Sequence, residues 1–124
     1  MPVDITIILP NHPGSLADVC EGLGQLGVNI EGLCAFASQG IGMLHVTVED
    51  SAAAQRAIEQ SGLKVNEVRE VVVLEMEEEP GSAGHALRRI GDAGVDLDLV
   101  YMATGTRLVL AAAELEKARA ALGL

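Results

Sequence analysis

The feature that most constrains this chain is an internal repeat. Pro13-Gly14-Ser15 returns as Pro80-Gly81-Ser82, and Gly27-Val28-Asn29-Ile30 returns as Gly94-Val95-Asp96-Leu97, in both cases 67 residues later. Upstream of each copy lies a β-branched run, Ile5-Thr6-Ile7-Ile8 and then Val71-Val72-Val73-Leu74. Repetition at a fixed offset means one supersecondary unit built twice, so a fold assigned to the first half has to serve for the second. The 124 residues divide on this basis into a first module over 1–70 and a second, shorter one over 71–124.

Within the first copy, Val3, Ile5, Ile7 and Leu9 alternate with Asp4 and Thr6, the period of a strand with one buried face. Pro10 and Pro13 stop that strand, and Leu16, Val19, Cys20, Leu23 and Leu26 then share one face of a helix that Gly27 closes. Residues 28–38 and 43–48 predict a hairpin around Gln39-Gly40-Ile41-Gly42. Asp50 or Ser51 caps a second helix with Ala54, Ala57 and Ile58 inward, Gly62 ends it, and 64–69 supply a fourth strand. The order is βαββαβ. Two helices on one face of a four-stranded antiparallel sheet make a ferredoxin-like module of the α+β class.

The second copy predicts strands over 72–77, 95–103 and 107–112 and helices over 82–93 and 114–122, without a last strand of its own. Modules of about 60 residues bury little surface alone. Ile8, Met43, Val71 and Val73 fall on the outer sheet side among Thr6, His45 and Thr47, so a buried interface is expected, either between the modules or with a second chain as a homodimer through sheet faces or edges.

The charge balance narrows function. Eight basic residues stand against 18 acidic ones, a net charge of −10, and a field of that sign repels a phosphate backbone, which argues against nucleic acid. Only Phe36 and Tyr101 are aromatic, too few for stacking platforms. No apolar stretch approaches the roughly 20 residues that span a bilayer, so no membrane role is expected. The start Met1-Pro2-Val3-Asp4 lacks a basic region before an apolar core, which points to a cytoplasmic protein with Cys20 and Cys34 as free thiols. Neither cysteine has a histidine partner at ligand spacing, so no metal is expected. No nucleophile, base and orienting group assemble from the sequence. The expectation is therefore a protein without catalytic residues or cofactor.

Chemistry concentrates in Asn11-His12-Pro13-Gly14-Ser15-Leu16. Gly14 admits close backbone approach at the start of a helix whose first amides lack partners. Those amides suit a carboxylate, and Asn11 offers a donor and an acceptor to an ammonium or hydroxyl. On local sequence alone, Asn11 and Ser15 serve equally as helix caps.

A strand followed by Asn-x-Pro-Gly-x-Leu, a helix and then Gly-Val-Asn-Ile resembles the ACT domain, the amino-acid-sensing module of many biosynthetic enzymes and regulators. The two ungapped copies resemble the small stand-alone tandem ACT proteins. The resemblance implies an amino-acid-binding regulatory protein whose ligand sits at an interface between ACT-like modules. Residue by residue it falls on Asn11, Pro13, Gly14, Leu16, Gly27, Asn29 and Ile30, with His12 and Ser15 inside the same loop. Residues from a neighbouring module are expected to complete the site, with the strand around Leu33 to Phe36, including Cys34, as the candidates. The second copy carries Glu78, Ala83 and Asp96 in place of Asn11, Leu16 and Asn29, so one site per chain, at the first loop, is expected. The alternative is a ligand-free interaction module that associates with a metabolic enzyme or regulator.

Overall fold

In the computed structural model, which describes residues 1–124, the alternating run at the N-terminus forms β1 (Val3–Leu9). It leads to α1 (Ser15–Gln25), β2 (Gly32–Ser38), β3 (Ile41–Val48), α2 (Ser51–Gln60) and β4 (Val65–Glu70). These elements make one compact unit, Met1–Glu70. β1 lies between β3 and β4, and β2 pairs with the other edge of β3, every pair antiparallel. Ile5 stands opposite Val46 and Ile7 opposite Leu44, so the apolar rows fall on one sheet face. Val19 and Leu23 of α1 and Ala53, Ala54, Ala57 and Ile58 of α2 bury that face.

Two local choices set how the helices lie. A Cβ on Gly22 of α1 would stand 2.9 Å from Ser61 Oγ, so the missing side chain is what lets α1 approach the end of α2. At the start of α2, the Asp50 carboxylate accepts a hydrogen bond from the Ala53 amide at 3.0 Å. Of the two cap residues the sequence offers, Asp50 is the one used.

The second unit, Val71–Leu124, repeats the order up to its last helix. It contains β5 (Val72–Glu75), α3 (Ser82–Asp92), β6 (Leu99–Ala103), β7 (Arg107–Ala111) and α4 (Leu115–Ala121). β7 pairs antiparallel with both β5 and β6, as β3 pairs with β1 and β2. Val72, Leu108 and Leu110 form its core with Ala86 and Ile90 of α3 and Ala118 of α4. The chain is thus an α+β protein with antiparallel strands and four helices. No helix is long and apolar enough to cross a membrane.

Strand boundaries differ from the sequence reading in consistent ways. β2 begins at Gly32 rather than residue 28, because the Val28 amide donates to Leu23 O at 2.9 Å and closes α1. β6 likewise begins at Leu99 rather than 95, because the Val95 amide donates to Ile90 O at 3.3 Å. Gln39 and Gly40 both have positive φ, 52° and 78°, which makes a two-residue hairpin turn and extends β3 back to Ile41. On the sheet face away from the helices, Ile8 is half exposed as expected, whereas Thr6 and Thr47 are buried. Asp4 is fully buried there; its Oδ2 accepts from Thr6 Oγ1 at 3.1 Å and from His45 Nδ1 at 3.0 Å.

Truncation of Leu23, which has no exposed surface, is expected to cost about 2–5 kcal/mol, read as a lower urea midpoint at unchanged slope. Gly14 and Gly24 give a sharper test. A Cβ meets nothing within 4 Å at either position, but Gly14 has φ 90° while Gly24 lies within α1. Gly14→Ala is expected to destabilise by roughly 1–2 kcal/mol, and Gly24→Ala to stabilise by about 0.5–1 kcal/mol. Equal signs in urea unfolding would contradict the conformational role given to Gly14.

Candidate functional site

The end of β1 and the start of α1 are joined by a tight reversal. Pro10 ends strand pairing, the His12 amide donates to Pro10 O at 3.0 Å, and Gly14 forms the N-cap at φ 90° and ψ −11°. Such a conformation places the helix directly over the strand it follows, and glycine adopts it without a Cβ penalty. Two of the side chains in this loop serve the loop itself. Ser15 Oγ donates to His12 O at 3.1 Å, and His12 Nδ1 lies 3.0 Å from Pro13 O.

No side chain caps α1. Asn11 is exposed, and Ser15 spends its hydroxyl on the preceding turn. The capping reading therefore does not describe this loop. The amides of Leu16 and Ala17 have no acceptor, so α1 presents bare N–H donors and the positive end of its dipole. Leu16, at 36% exposure, supplies an apolar surface beside them.

The other expected site residues lie elsewhere. Asp4, near the start of β1, pairs with Thr47, which also faces Gly32 at the start of β2. Asn29 and Ile30 precede Gly32, so they lie at the end of the sheet where β1 begins, whereas the loop 11–16 lies where β1 ends. Seven strand residues, roughly 20 Å, separate the two ends. Asn29 is exposed, and Ile30 packs against the first core. Cys34 sits mid-sheet opposite His45, on the face away from α1 and α2. The first unit thus brings together Asn11, His12, Pro13, Gly14, Ser15 and Leu16, and does not bring Asn29, Ile30 or Cys34 to them.

The second strand-helix loop repeats the geometry with different chemistry. Gly81 caps α3 at φ 94°, again with no side-chain cap, and the amides of Ala83 and Gly84 have no acceptor. Beside the first loop, His12, Ser15 and Asp18 border a space of about 90 Å³ that Ser61 and Leu63 close. Beside the second loop is a cavity of about 570 Å³ with Met76, Met102 and Thr106 on one side and Glu77, Glu78 and Glu79 at its rim. That volume is within the range of small-molecule sites, roughly 300–1,000 Å³.

Sequence reasoning missed this cavity because it placed the one expected site at the first loop. The signal was present at the helix start. Ala83 and Gly84, which line the cavity, stand where the first copy has Leu16 and Ala17, and each exchange removes side-chain volume at the helix start.

Burial pushes the Cys20 thiol above its usual range, as fits a residue on the apolar flank of α1. Both cysteines are free thiols. No group of three or more His, Cys, Asp or Glu side chains is placed to hold a metal ion.

No protein-family model matches the chain, and no curated protein matches it. Solved structures do. A protein from Bacteroides thetaiotaomicron is 25% identical over 98% of this chain and 85% of its own, with a TM-score of 0.84. The ligand-free regulatory subunit of aspartate kinase from Thermus thermophilus is 16% identical over 98% of this chain and 90% of its own, with a TM-score of 0.73. The aspartate kinase of Clostridium acetobutylicum, described as an allosteric enzyme, matches 98% of this chain with 32% of its own length at 16% identity and a TM-score of 0.61. The chain is therefore similar in fold to regulatory parts of aspartate kinase, which supports the ACT-like fold implied by its strand-helix motif.

Proposed function

We propose that this protein is an amino-acid-binding regulatory protein built from two ACT-like modules, with its ligand held at the first strand-helix loop. The observation that carries this reading is the uncapped start of α1 at Gly14, where the amides of Leu16 and Ala17 have no acceptor. A ligand carboxylate satisfies those donors and is favoured by the helix dipole. The exposed side chain of Asn11 supplies the acceptor for the ligand's ammonium group. The likeness in fold to aspartate kinase regulatory subunits supports a regulatory role.

Asn11 and Leu16 are both exposed, so a second surface is needed to cover the loop. We assign that surface to a second copy of the chain. Binding then changes how copies associate, which is how a ligand couples to a partner enzyme: it shifts an equilibrium only through different affinities for two arrangements, typically by about 1–3 kcal/mol. The second loop is a poor home for the same ligand, because Glu77, Glu78 and Glu79 at its rim oppose a carboxylate.

Thermal unfolding with each standard amino acid at millimolar concentration tests this reading. A ligand at 100 times its dissociation constant contributes about 2.7 kcal/mol, several degrees for a chain of this size. One amino acid, or a small group of similar ones, is expected to raise the midpoint. The rise is expected to shrink in Asn11→Ala and Gly14→Val, each measured against its own ligand-free midpoint. A rise of equal size in both variants would remove the site from this loop, and no rise with any amino acid would favour the ligand-free interaction module.

A further inference from the structure

Two stretches of this chain, residues 5–17 and 32–48, contain no Asp, Glu, Lys or Arg, although the whole carries −10. Strand pairing brings both to one end of the first unit's sheet. Ile8 and Phe36 stand on either side of the half-buried Met43, and Ile41 begins β3 beside the hairpin turn. Ile8 and Phe36 are each 49% exposed, and Ile41 is 53% exposed. Asn11 follows soon after Ile8 in the chain, so this uncharged apolar surface adjoins the loop 11–16.

Phe36 is the exposed one of the two aromatic side chains, Tyr101 being buried, and it is held in place. Its ring stacks on that of His45, with centroids 6.3 Å apart and planes 24° apart. His45 Nδ1 in turn lies 3.0 Å from Asp4 Oδ2 and 3.2 Å from Thr6 Oγ1, on two buried residues. Turning the imidazole away breaks hydrogen bonds to a buried carboxylate, which costs more than losing the same bonds in water. An aromatic ring fixed in this way gives up little freedom on binding, as an interface anchor requires.

We infer that a second copy of this chain docks on this surface, patch on patch about a two-fold axis, with Phe36 of each copy as its anchor. The inference rests on the reading that a second copy covers the first loop, and it gives that copy its docking surface. Charge chooses the occupant. An isologous contact sets a surface against itself, and a surface bearing this chain's excess carboxylates then repels its own copy. The surface around Ile8, Phe36 and Ile41 has no such charge to oppose the contact. A strongly charged partner, conversely, finds no complementary group on it.

Sedimentation velocity of the full chain without ligand, over a range of concentrations, tests this. A dimer is expected, and its dissociation constant is expected to fall as sodium chloride is added, because salt screens the repulsion between the acidic remainders of the two copies. Phe36→Glu and Ile41→Glu are each expected to raise the constant about thirtyfold or more, with far-UV circular dichroism unchanged. Leu26→Glu, at an exposed apolar position closing α1, is expected to leave it unchanged. His45→Ala is expected to weaken the dimer in the wild-type chain and not in Phe36→Leu, because the imidazole acts through the ring it stacks on. An equal loss in both backgrounds would remove that positioning role. A monomer at every concentration, a dimer that survives both Phe36→Glu and Ile41→Glu, or an equal weakening by Leu26→Glu would overturn the inference. Thermal unfolding with amino acids separates it from the ligand reading. A dimer that behaves as expected while no amino acid raises the midpoint keeps the docking surface and removes the ligand. A midpoint rise undiminished in monomeric Phe36→Glu keeps the ligand and overturns docking of a second copy over its loop.

Discussion

Burial of the helix stripes against one face of each sheet is the interaction on which everything else in this chain depends. Ile5, Ile7, Leu44, Val46 and Val48 have no exposed surface because α1 and α2 cover them. For α1 to lie there, the chain must reverse within five residues of leaving β1. A reversal that tight requires a left-handed backbone at the helix cap, which Gly14 provides at φ 90°. The same demand in the second unit is met by Gly81 at φ 94°. A glycine cap has no side chain to offer the helix, so uncapped amides at both strand-helix loops follow from how the cores are packed.

Divergence between the two copies has fallen on chemistry and spared that scaffold. Gly14 and Gly81 keep one conformation, and Val28 and Val95 close their helices through equivalent hydrogen bonds. The residues around the bare amides have changed character. Asn11 gives way to Glu78, Leu16 to Ala83 and Asp18 to His85. Asn11 and His12 flank one pair of amides, whereas Glu78 and Glu79 flank the other, which opens on about 570 Å³. Two loops with one backbone thus offer different ligands different fields.

Periodicity made much of the architecture legible. The rows Ile5-Ile7-Leu9 and Val46-Val48, the α2 face of Ala54, Ala57 and Ile58, and the cap at Asp50 could be read because each depends on neighbours a few residues away. What failed depends on distance. Val28 and Val95 look like strand residues by type, yet serve helix closure. Asp4 alternates with the apolar row as a solvent-facing residue does, but its burial rests on His45, 41 positions later. Matching Asn29 and Ile30 to a motif could not reveal that α1 carries the chain to the opposite end of the sheet from Asn11. Cavity size was illegible for the same reason, since Ser61 and Leu63 close the first loop from another part of the chain.

The central claim is that the bare amides at the first loop are the receptor for a free amino acid. Backbone 1H–15N spectra recorded while pools of amino acids are titrated into the labelled protein test it most directly, because they observe those donors themselves. The account predicts saturable movement of the Leu16 and Ala17 signals with one pool, while Ala83 and Gly84 stay in place. Spectra in which Leu16 and Ala17 never move, or in which Ala83 and Gly84 move alone, would contradict it.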